Sequence, residues 1–139
     1  SQKSESDGRV RRVVAENPST PEDILRTLGN QQNEGWGVRK SVASNPSTPG
    51  DVLRILGNRR TEPDGDVRQA VARNPNTPVE VLRILGNEQT ESLRLVRQVV
   101  AENPNSPVDV LRLLGNEQTE SNRWVREAAK SALALRGLT

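Results

Sequence analysis

Arginine is the residue type in this sequence whose chemistry and spacing are best suited to binding. One Arg follows the leading Val of each of five similar segments, at a step of about 29 residues: Arg11, Arg39, Arg68, Arg97 and Arg126. A guanidinium group is planar and always charged, and it binds carboxylates and phosphates through paired hydrogen bonds. If the segments stack in register, these side chains form a row, which we call the inner Arg ladder. Such a row would suit an acidic peptide or a nucleic-acid backbone.

A second row, the outer Arg ladder, leads to a different expectation. Its members are Arg26, Arg54, Arg83 and Arg112, and each follows an acidic residue by three positions: Asp23, Asp51, Glu80 and Asp109. Three residues is a pairing distance on a helix, so the spacing predicts ion pairs within each segment. Most inner-ladder Arg residues lack such an acid. Two interpretations therefore stay open for them: pairing with these acids or with helix-end carbonyls in neighbouring repeats, or binding an external anion.

The only two aromatic residues of the chain are also candidates for contact with a partner. Trp36 stands between two glycines and is either a partner-binding anchor or a lid over the first repeat interface. Trp124 is expected to cover the seam before the last segment. A row of Asn residues, each followed by Pro, predicts capping of helix-end carbonyls, with a peptide-reading polar groove as the alternative. This row comprises Asn17, Asn45, Asn74 and Asn103.

Composition argues against catalysis and cofactors. The chain has no Cys and no His, and its formal net charge is only +2. These absences remove thiolate chemistry and the commonest general base and metal ligand. The acids recur once per segment, no nucleophile motif or phosphate loop is present, and no apolar run is long enough for a membrane span. We therefore expect no enzyme activity, cofactor or metal, no membrane insertion, and a cytoplasmic location.

The spacing of apolar residues within one segment predicts two helices. In the third segment, Val67, Ala70 and Val71 form a helical stripe, and Asn74 before a Pro ends it. A second, shorter stripe is centred on Leu82. It is short enough that a partly 3₁₀ conformation stays open.

Local signals also predict how the second helix begins and ends. Thr77 is expected to cap its N-terminus, with Pro78 at the first helical position and Glu80 completing a capping box. Gly86 is expected to adopt the left-handed conformation that closes many helices. The other segments hold Thr or Ser, Pro, an acid and Gly in the same slots.

The repeat period predicts the organisation of the whole chain. A fixed period in this range is typical of a solenoid, in which each unit packs on its neighbours. We predict an all-α solenoid of about four and a half helix–turn–helix repeats. Its expected parts are a loose segment at 1–9, repeats at 10–37, 38–66, 67–95 and 96–124, and a capping helix in the half-repeat 125–139.

The string V-R-x-x-V-A-x-N-P-x-T-P-x-x-x-L-x-x-L resembles the leucine-rich repeat variant family. It occurs at 67–85, 10–28, 38–56 and, with Ser106 in place of Thr, at 96–114. The resemblance implies a right-handed superhelix in which α-helices alternate with 3₁₀ helices, without enzyme activity and without one common ligand. The connectors here are longer than the family pattern. One member of that family carries an iron–sulfur cluster on a Cys-rich segment. No such cluster is expected in this chain, because it lacks Cys.

Together these features predict a non-catalytic scaffold that mediates protein–protein interaction as one domain of a larger protein. The candidate binding residues are the inner Arg ladder and Trp36, and the expected partner is a protein or peptide, with an acidic one as an option. The alternatives are binding of nucleic acid or another polyanion along the inner ladder, or a purely structural spacer. The oligomeric state is left open.

Overall fold

Longer and shorter helices alternate along the protein. The computed structural model describes residues 5–30 and 34–138, with the backbone alone at 5–7. Over these residues the chain is all-α, as predicted, and has no strand. The longer helices are α1 (Glu5–Glu16), α3 (Trp36–Ser44), α5 (Gly65–Arg73), α7 (Arg94–Glu102) and α9 (Arg123–Leu135). The shorter ones are α2 (Glu22–Leu28), α4 (Gly50–Leu56), α6 (Val79–Leu85) and α8 (Val108–Leu114).

Successive repeats stack in register. Each longer helix packs on the longer helix of the next repeat, from α1 on α3 through to α7 on α9, and the shorter helices pack beside them. Equivalent positions are buried in successive copies, as Leu53, Leu82 and Leu111 are. The apolar stripes that the period identifies therefore form one continuous core, and the solenoid prediction is confirmed.

The short helices are α-helical, so the 3₁₀ expectation is wrong for them except at the first turn, where Val52 and Val81 also donate to carbonyls three residues back. In α4, the Leu53 amide donates to the carbonyl of Pro49 at 3.1 Å, and the Gly57 amide donates to the carbonyl of Leu53 at 2.8 Å. Both bonds span four residues, which is the α pattern. Seven residues suffice because the apolar side chains are held by tertiary packing rather than by helix propensity.

The two ends of the chain differ from the inner repeats. Residues 5–9 belong to α1, so that part of the segment expected to be loose is helical, and residues 1–4 lie outside the described part. At the other end, α9 continues for 13 residues without the break that divides the earlier copies. Its later turns lie against α8, where Leu133 is buried.

The Thr or Ser that recurs in each repeat has a different role from the predicted N-cap. No side chain caps the short helices at this slot, and the residue in the N-cap position is the following Pro. Instead, the Thr77 hydroxyl donates to the carbonyl of Val71 at 2.6 Å, and Thr20, Thr48 and Ser106 make the same bond. The hydroxyl thus satisfies an orphaned carbonyl at the end of the preceding helix.

The Gly that follows each short helix does not have the predicted left-handed conformation, and close packing explains its presence instead. Gly86 has φ −100°, not the positive φ that was predicted, and Gly137 is the one described residue with positive φ. A methyl group built on Gly86 would lie 2.8 Å from Cγ1 of both Val100 and Val110. This Gly is therefore required by close packing between repeats.

Replacing Gly86 by Ala should lower the free energy of unfolding by about 1–3 kcal/mol, because the added carbon overpacks the repeat interface. Gly35→Ala is the matched control, since nothing lies within 4 Å of a methyl group built there. Chemical denaturation followed by circular dichroism measures both. Equal midpoints for the two variants would refute the packing explanation.

Candidate functional site: the Arg ladders and the groove between α7 and α9

The inner Arg ladder lies mostly inside the molecule. Arg39, Arg68 and Arg97 retain only 5, 4 and 3% of their surface. The Arg68 guanidinium donates through Nε to Glu91 Oε1 at 2.7 Å and through Nη2 to Glu91 Oε2 at 3.1 Å. Its Nη1 donates to the carbonyl of Glu62 at 2.7 Å. Of the two interpretations left open for the inner ladder, an exposed row of anion-binding groups does not fit these three residues, because their donors are already engaged within the molecule.

The main partners of the inner ladder are four connector glutamates that the sequence interpretation missed; Arg97 also lies 3.6 Å from Glu88. The four glutamates follow the Arg residues by 23 positions and are Glu34, Glu62, Glu91 and Glu120. Each Glu joins two repeats, because its carboxylate binds the preceding Arg and its backbone carbonyl accepts from the following one. The signal available in the sequence was the Thr-Glu pair that recurs in three connectors.

The glutamates are held by their own connector backbone as well. The Glu91 side chain accepts a hydrogen bond from the amide of Leu93 at 3.0 Å, and Glu62 and Glu120 accept equivalent bonds. Pairing with Glu62 also raises the pKa of Arg39 above its already high value, chiefly through the hydrogen bonds between the two side chains. The result is a buried chain of charge-assisted hydrogen bonds that runs along the repeats.

The two ends of the inner ladder are less enclosed. Arg11 donates through Nε to Glu34 at 2.7 Å, and 23% of its side-chain surface remains exposed. Arg126 is partly buried, and its Nη1 donates to the carbonyl of Glu120 at 2.9 Å. No carboxylate of a described residue pairs with Arg126.

The outer Arg ladder pairs mainly between repeats, although Arg26 also lies 3.5 Å from Glu22 of its own helix. Arg26 Nε lies 3.0 Å from Asp51 Oδ2, Arg54 Nε donates to Glu80 at 2.8 Å, and Arg83 pairs with Asp109. The predicted pairing three residues back on the same helix is wrong, because the stack places the acid of the next repeat closer.

The ion pairs of the outer Arg ladder change the pKa values of their carboxylates. Hydrogen bonding to the Arg side chains lowers the pKa of Asp51, Glu80 and Asp109. Because these pairs lie at the surface and are screened by water, each one contributes little stability. Arg112 makes no ion pair with any described residue.

In the repeats after the first, the Asn of this row caps carbonyls of the preceding repeat, as Asn45, Asn74 and Asn103 do, whereas Asn17 is exposed. Asn74 is 2% exposed, and its Nδ2 donates to the carbonyls of Ala43 at 2.8 Å and Asn45 at 3.0 Å. Its Oδ1 accepts from the amide of Asn76 at 2.9 Å. The side chain is thus fully used in structure, and the alternative of a polar groove open to a peptide does not fit its burial.

Both Trp side chains are exposed and lie at seams between the longer helices. Trp36 is 52% exposed, and Trp124, at the seam before the last helix, is 58% exposed. The guanidinium carbon of Arg123 lies 5.3 Å from the Trp124 ring centroid, within the range of a cation–π contact.

A groove of about 810 Å³ runs between α7 and α9, with Trp124 and Leu95 among its lining residues. Ala128 and Leu135 add further apolar surface, and Leu135 is 90% exposed. Gln98 also lines the groove, and its Oε1 atom is buried yet accepts no hydrogen bond from a described residue. An equivalent but smaller groove of about 370 Å³ lies between α1 and α3, where Trp36 stands.

The described residues contain neither a cluster of metal-ligating side chains nor a membrane-crossing helix. No group of three or more potential metal-ligating side chains occurs among residues 5–30 and 34–138. Within the same ranges, no helix has both the length and the apolar character needed to cross a membrane.

Comparison with known proteins identifies the repeat type. Residues 36–60 and 65–87, which contain α3 to α6, match the model of the family described as leucine rich repeat variant. No curated protein and no solved structure matches the chain. The matched residues include two of the four segments whose motif resembles that family, so the resemblance is confirmed over residues 36–60 and 65–87.

Proposed function

We propose that this chain is a non-catalytic repeat scaffold that binds a protein partner in the groove between α7 and α9. The observation that carries the proposal is the exposed apolar lining of this groove, with Trp124 and Leu95 on the two facing helices. Exposed aromatic and aliphatic side chains beside a concave surface are typical of interaction hot spots. The matched repeat family supports the same proposal, because repeats of this kind suggest an interaction scaffold.

The groove suggests what the partner segment must provide. An apolar side chain would fill the space between Trp124 and Leu135. The lining also includes the charged residues Arg94 and Glu127. A short amphipathic segment with an apolar anchor and polar flanks fits this combination.

The inner ladder gives the scaffold rigidity and does not favour the polyanion alternative. Arg39, Arg68 and Arg97 are buried and bonded to Glu side chains, so nucleic acid would have to break buried ion pairs to reach them. Breaking such pairs is costly. A partner that binds the surface of the longer helices leaves these ion pairs intact and avoids this cost.

The experiment is a peptide-display selection against the chain, followed by affinity measurements on Trp124→Ala and Trp36→Ala. For selected peptides, we expect Trp124→Ala to weaken binding by roughly 30-fold or more, as hot-spot aromatic residues do. Trp36→Ala should leave the affinity nearly unchanged, although this side chain is similarly exposed and lines the equivalent groove. In the Trp36→Ala chain, the fluorescence of Trp124 should shift to shorter wavelength on binding.

The proposal would be contradicted if peptide affinity depended on residues other than those of the groove between α7 and α9. Peptides that lose affinity with Trp36→Ala instead would move the site to the groove between α1 and α3. Failure of the selection to yield any peptide whose binding depends on Trp124 or Leu95 would favour the structural spacer.

A further inference from the structure

We infer that the C-terminal end of the inner Arg ladder, at Arg126, binds the carboxylate of an acidic segment of a partner protein. This site shares no lining residue with the groove between α7 and α9. Its lining is Arg112, Gly115, Asn116, Glu117, Arg126, Lys130 and Leu133. The inference is therefore independent of the proposed function, and each can fail without the other.

Arg126 is held in the orientation that its ladder relatives use to bind Glu. In Arg68, Nη1 is fixed by the carbonyl of Glu62 at 2.7 Å, while Nε and Nη2 bind the carboxylate of Glu91. Arg126 makes the first of these contacts, to the carbonyl of Glu120 at 2.9 Å. Its Nε and Nη2 donate to no described residue. The guanidinium is thus pre-oriented for an incoming carboxylate, which lowers the entropic cost of binding.

Two further cations surround this position. Arg112 belongs to the outer ladder, whose other three members each bind a carboxylate of the following repeat, and it has no such partner among the described residues. Lys130 is exposed and lines the same site, and Glu117 is the one acid in the lining. The local charge therefore favours an anionic ligand.

The residue at position 130 also favours an acidic segment over a second copy of this chain. In the earlier repeats the equivalent residue is an Ala buried against the next repeat: Ala15, Ala43, Ala72 and Ala101. Lys130 places a charge there. The opposite end of the stack exposes the apolar side chains of Val10, Val13 and Ile24. End-to-end packing of two copies would bury Lys130 against this apolar surface, which is unfavourable.

The chain itself supplies a probe of suitable chemistry. The heptapeptide GNEQTES occurs at residues 86–92 and again at 115–121. The second Glu of these segments is the residue that binds Arg68 and Arg97 respectively. A blocked synthetic peptide of this sequence therefore presents the carboxylate in the sequence context that the ladder already recognises.

The test is an NMR titration of the isotope-labelled 139-residue chain with this peptide. We expect shifts of the Arg126 Nε–H signal and of backbone amides at 112–117 and 126–133. A peptide with Gln in place of the second Glu should bind at least about tenfold more weakly, because it loses the charge-assisted pair of hydrogen bonds. Arg126→Gln should abolish the shifts, and Arg123→Gln, an exposed Arg on the same helix, should preserve them.

Other results would overturn the inference. These are no shift at this site, equal binding of the Gln peptide, or equal shifts with inorganic phosphate at the same concentration, which would indicate unspecific anion binding. Shifts that appear on raising the protein concentration without peptide would assign the site to a second copy. Because the comparison of the two peptides uses the unchanged chain, it stands even if a variant fails to fold.

Discussion

Replacing Glu91 by Ala should lower the free energy of unfolding by about 3–5 kcal/mol, the cost of leaving one partner of a buried ion pair alone. Glu91 is fully buried, and Arg68, its partner, is 4% exposed. Without the carboxylate, Arg68 keeps its charge, and two of its donors lose their acceptor in a site closed to water. The amide of Leu93 loses its acceptor as well.

The measurement for Glu91→Ala is urea denaturation followed by circular dichroism. Asp109→Ala is the matched control, because it removes a cross-repeat carboxylate that pairs with Arg83 at the surface. We expect its midpoint to stay near that of the unchanged protein. A double variant, Arg68→Met with Glu91→Leu, should recover much of the loss, since apolar replacements of similar volume remove the unpaired charge. A Glu91→Ala midpoint equal to that of Asp109→Ala would mean that the ladder contributes little.

The near-isosteric change Asn74→Asp should be comparably damaging at neutral pH. Asn74 Nδ2 is the donor to the carbonyls of Ala43 and Asn45. A carboxylate at this position would lose both hydrogen bonds and place a buried negative charge against two carbonyl oxygens. We expect a loss of about 3 kcal/mol or more in the free energy of unfolding at pH 7.

This loss should depend on pH in a defined direction. The environment disfavours the charged form, so the pKa of the introduced Asp in the folded protein should lie above its unfolded value of about 3.9. The part of the deficit that depends on charge is then absent below the unfolded pKa and grows as the pH rises to the folded pKa. A smaller part remains at all pH values, because a neutral carboxyl has one donor where Asn74 has two. Denaturation midpoints of both proteins between about pH 3 and 8 measure it.

Asn116→Asp is the matched control for this prediction. The Asn116 Oδ1 atom accepts a hydrogen bond from the amide of Gln118 at 2.8 Å, a role that a carboxylate oxygen keeps. This variant should change stability little at any pH in the range. A deficit for Asn74→Asp that stays constant with pH would show that lost packing, not buried charge, is the cause.

The sequence was sufficient to predict the helices and their stacking because the repeat period places identical apolar side chains in every copy. Val67 and Leu82 recur in register, and a helical spacing within one repeat is enough to assign their faces. The interpretation also identified the Asn row as capping residues, since an amide before Pro at a helix end has few other roles.

The polar partners were harder to predict, because most of them lie one repeat away. Local helix rules paired Glu80 with Arg83 on its own helix, yet Glu80 binds Arg54 of the preceding repeat. The same rules made Thr77 an N-cap of the following helix, yet its hydroxyl bonds to the end of the helix before it. Glu91 lies in a connector that varies between copies, and no rule of helix geometry relates it to Arg68. A search for acid–base pairs at a constant long spacing would have found it.

The fixed separation between each inner-ladder Arg and its Glu defines where repeats can be inserted into or deleted from this protein. The separation is 23 residues in all four pairs, whereas the distance from a Glu to the next Arg is five residues once and six residues otherwise. Variation in length is thus confined to the stretch between Glu and Arg. A cassette that begins just before Arg39 and ends after Glu62 carries its buried ion pair complete. The inner ladder then crosses each junction only through the bond from an Arg to the backbone carbonyl of the preceding Glu. Arrays lengthened or shortened by such cassettes should retain cooperative unfolding, while cassettes cut within the 23-residue span would separate buried charges from their partners.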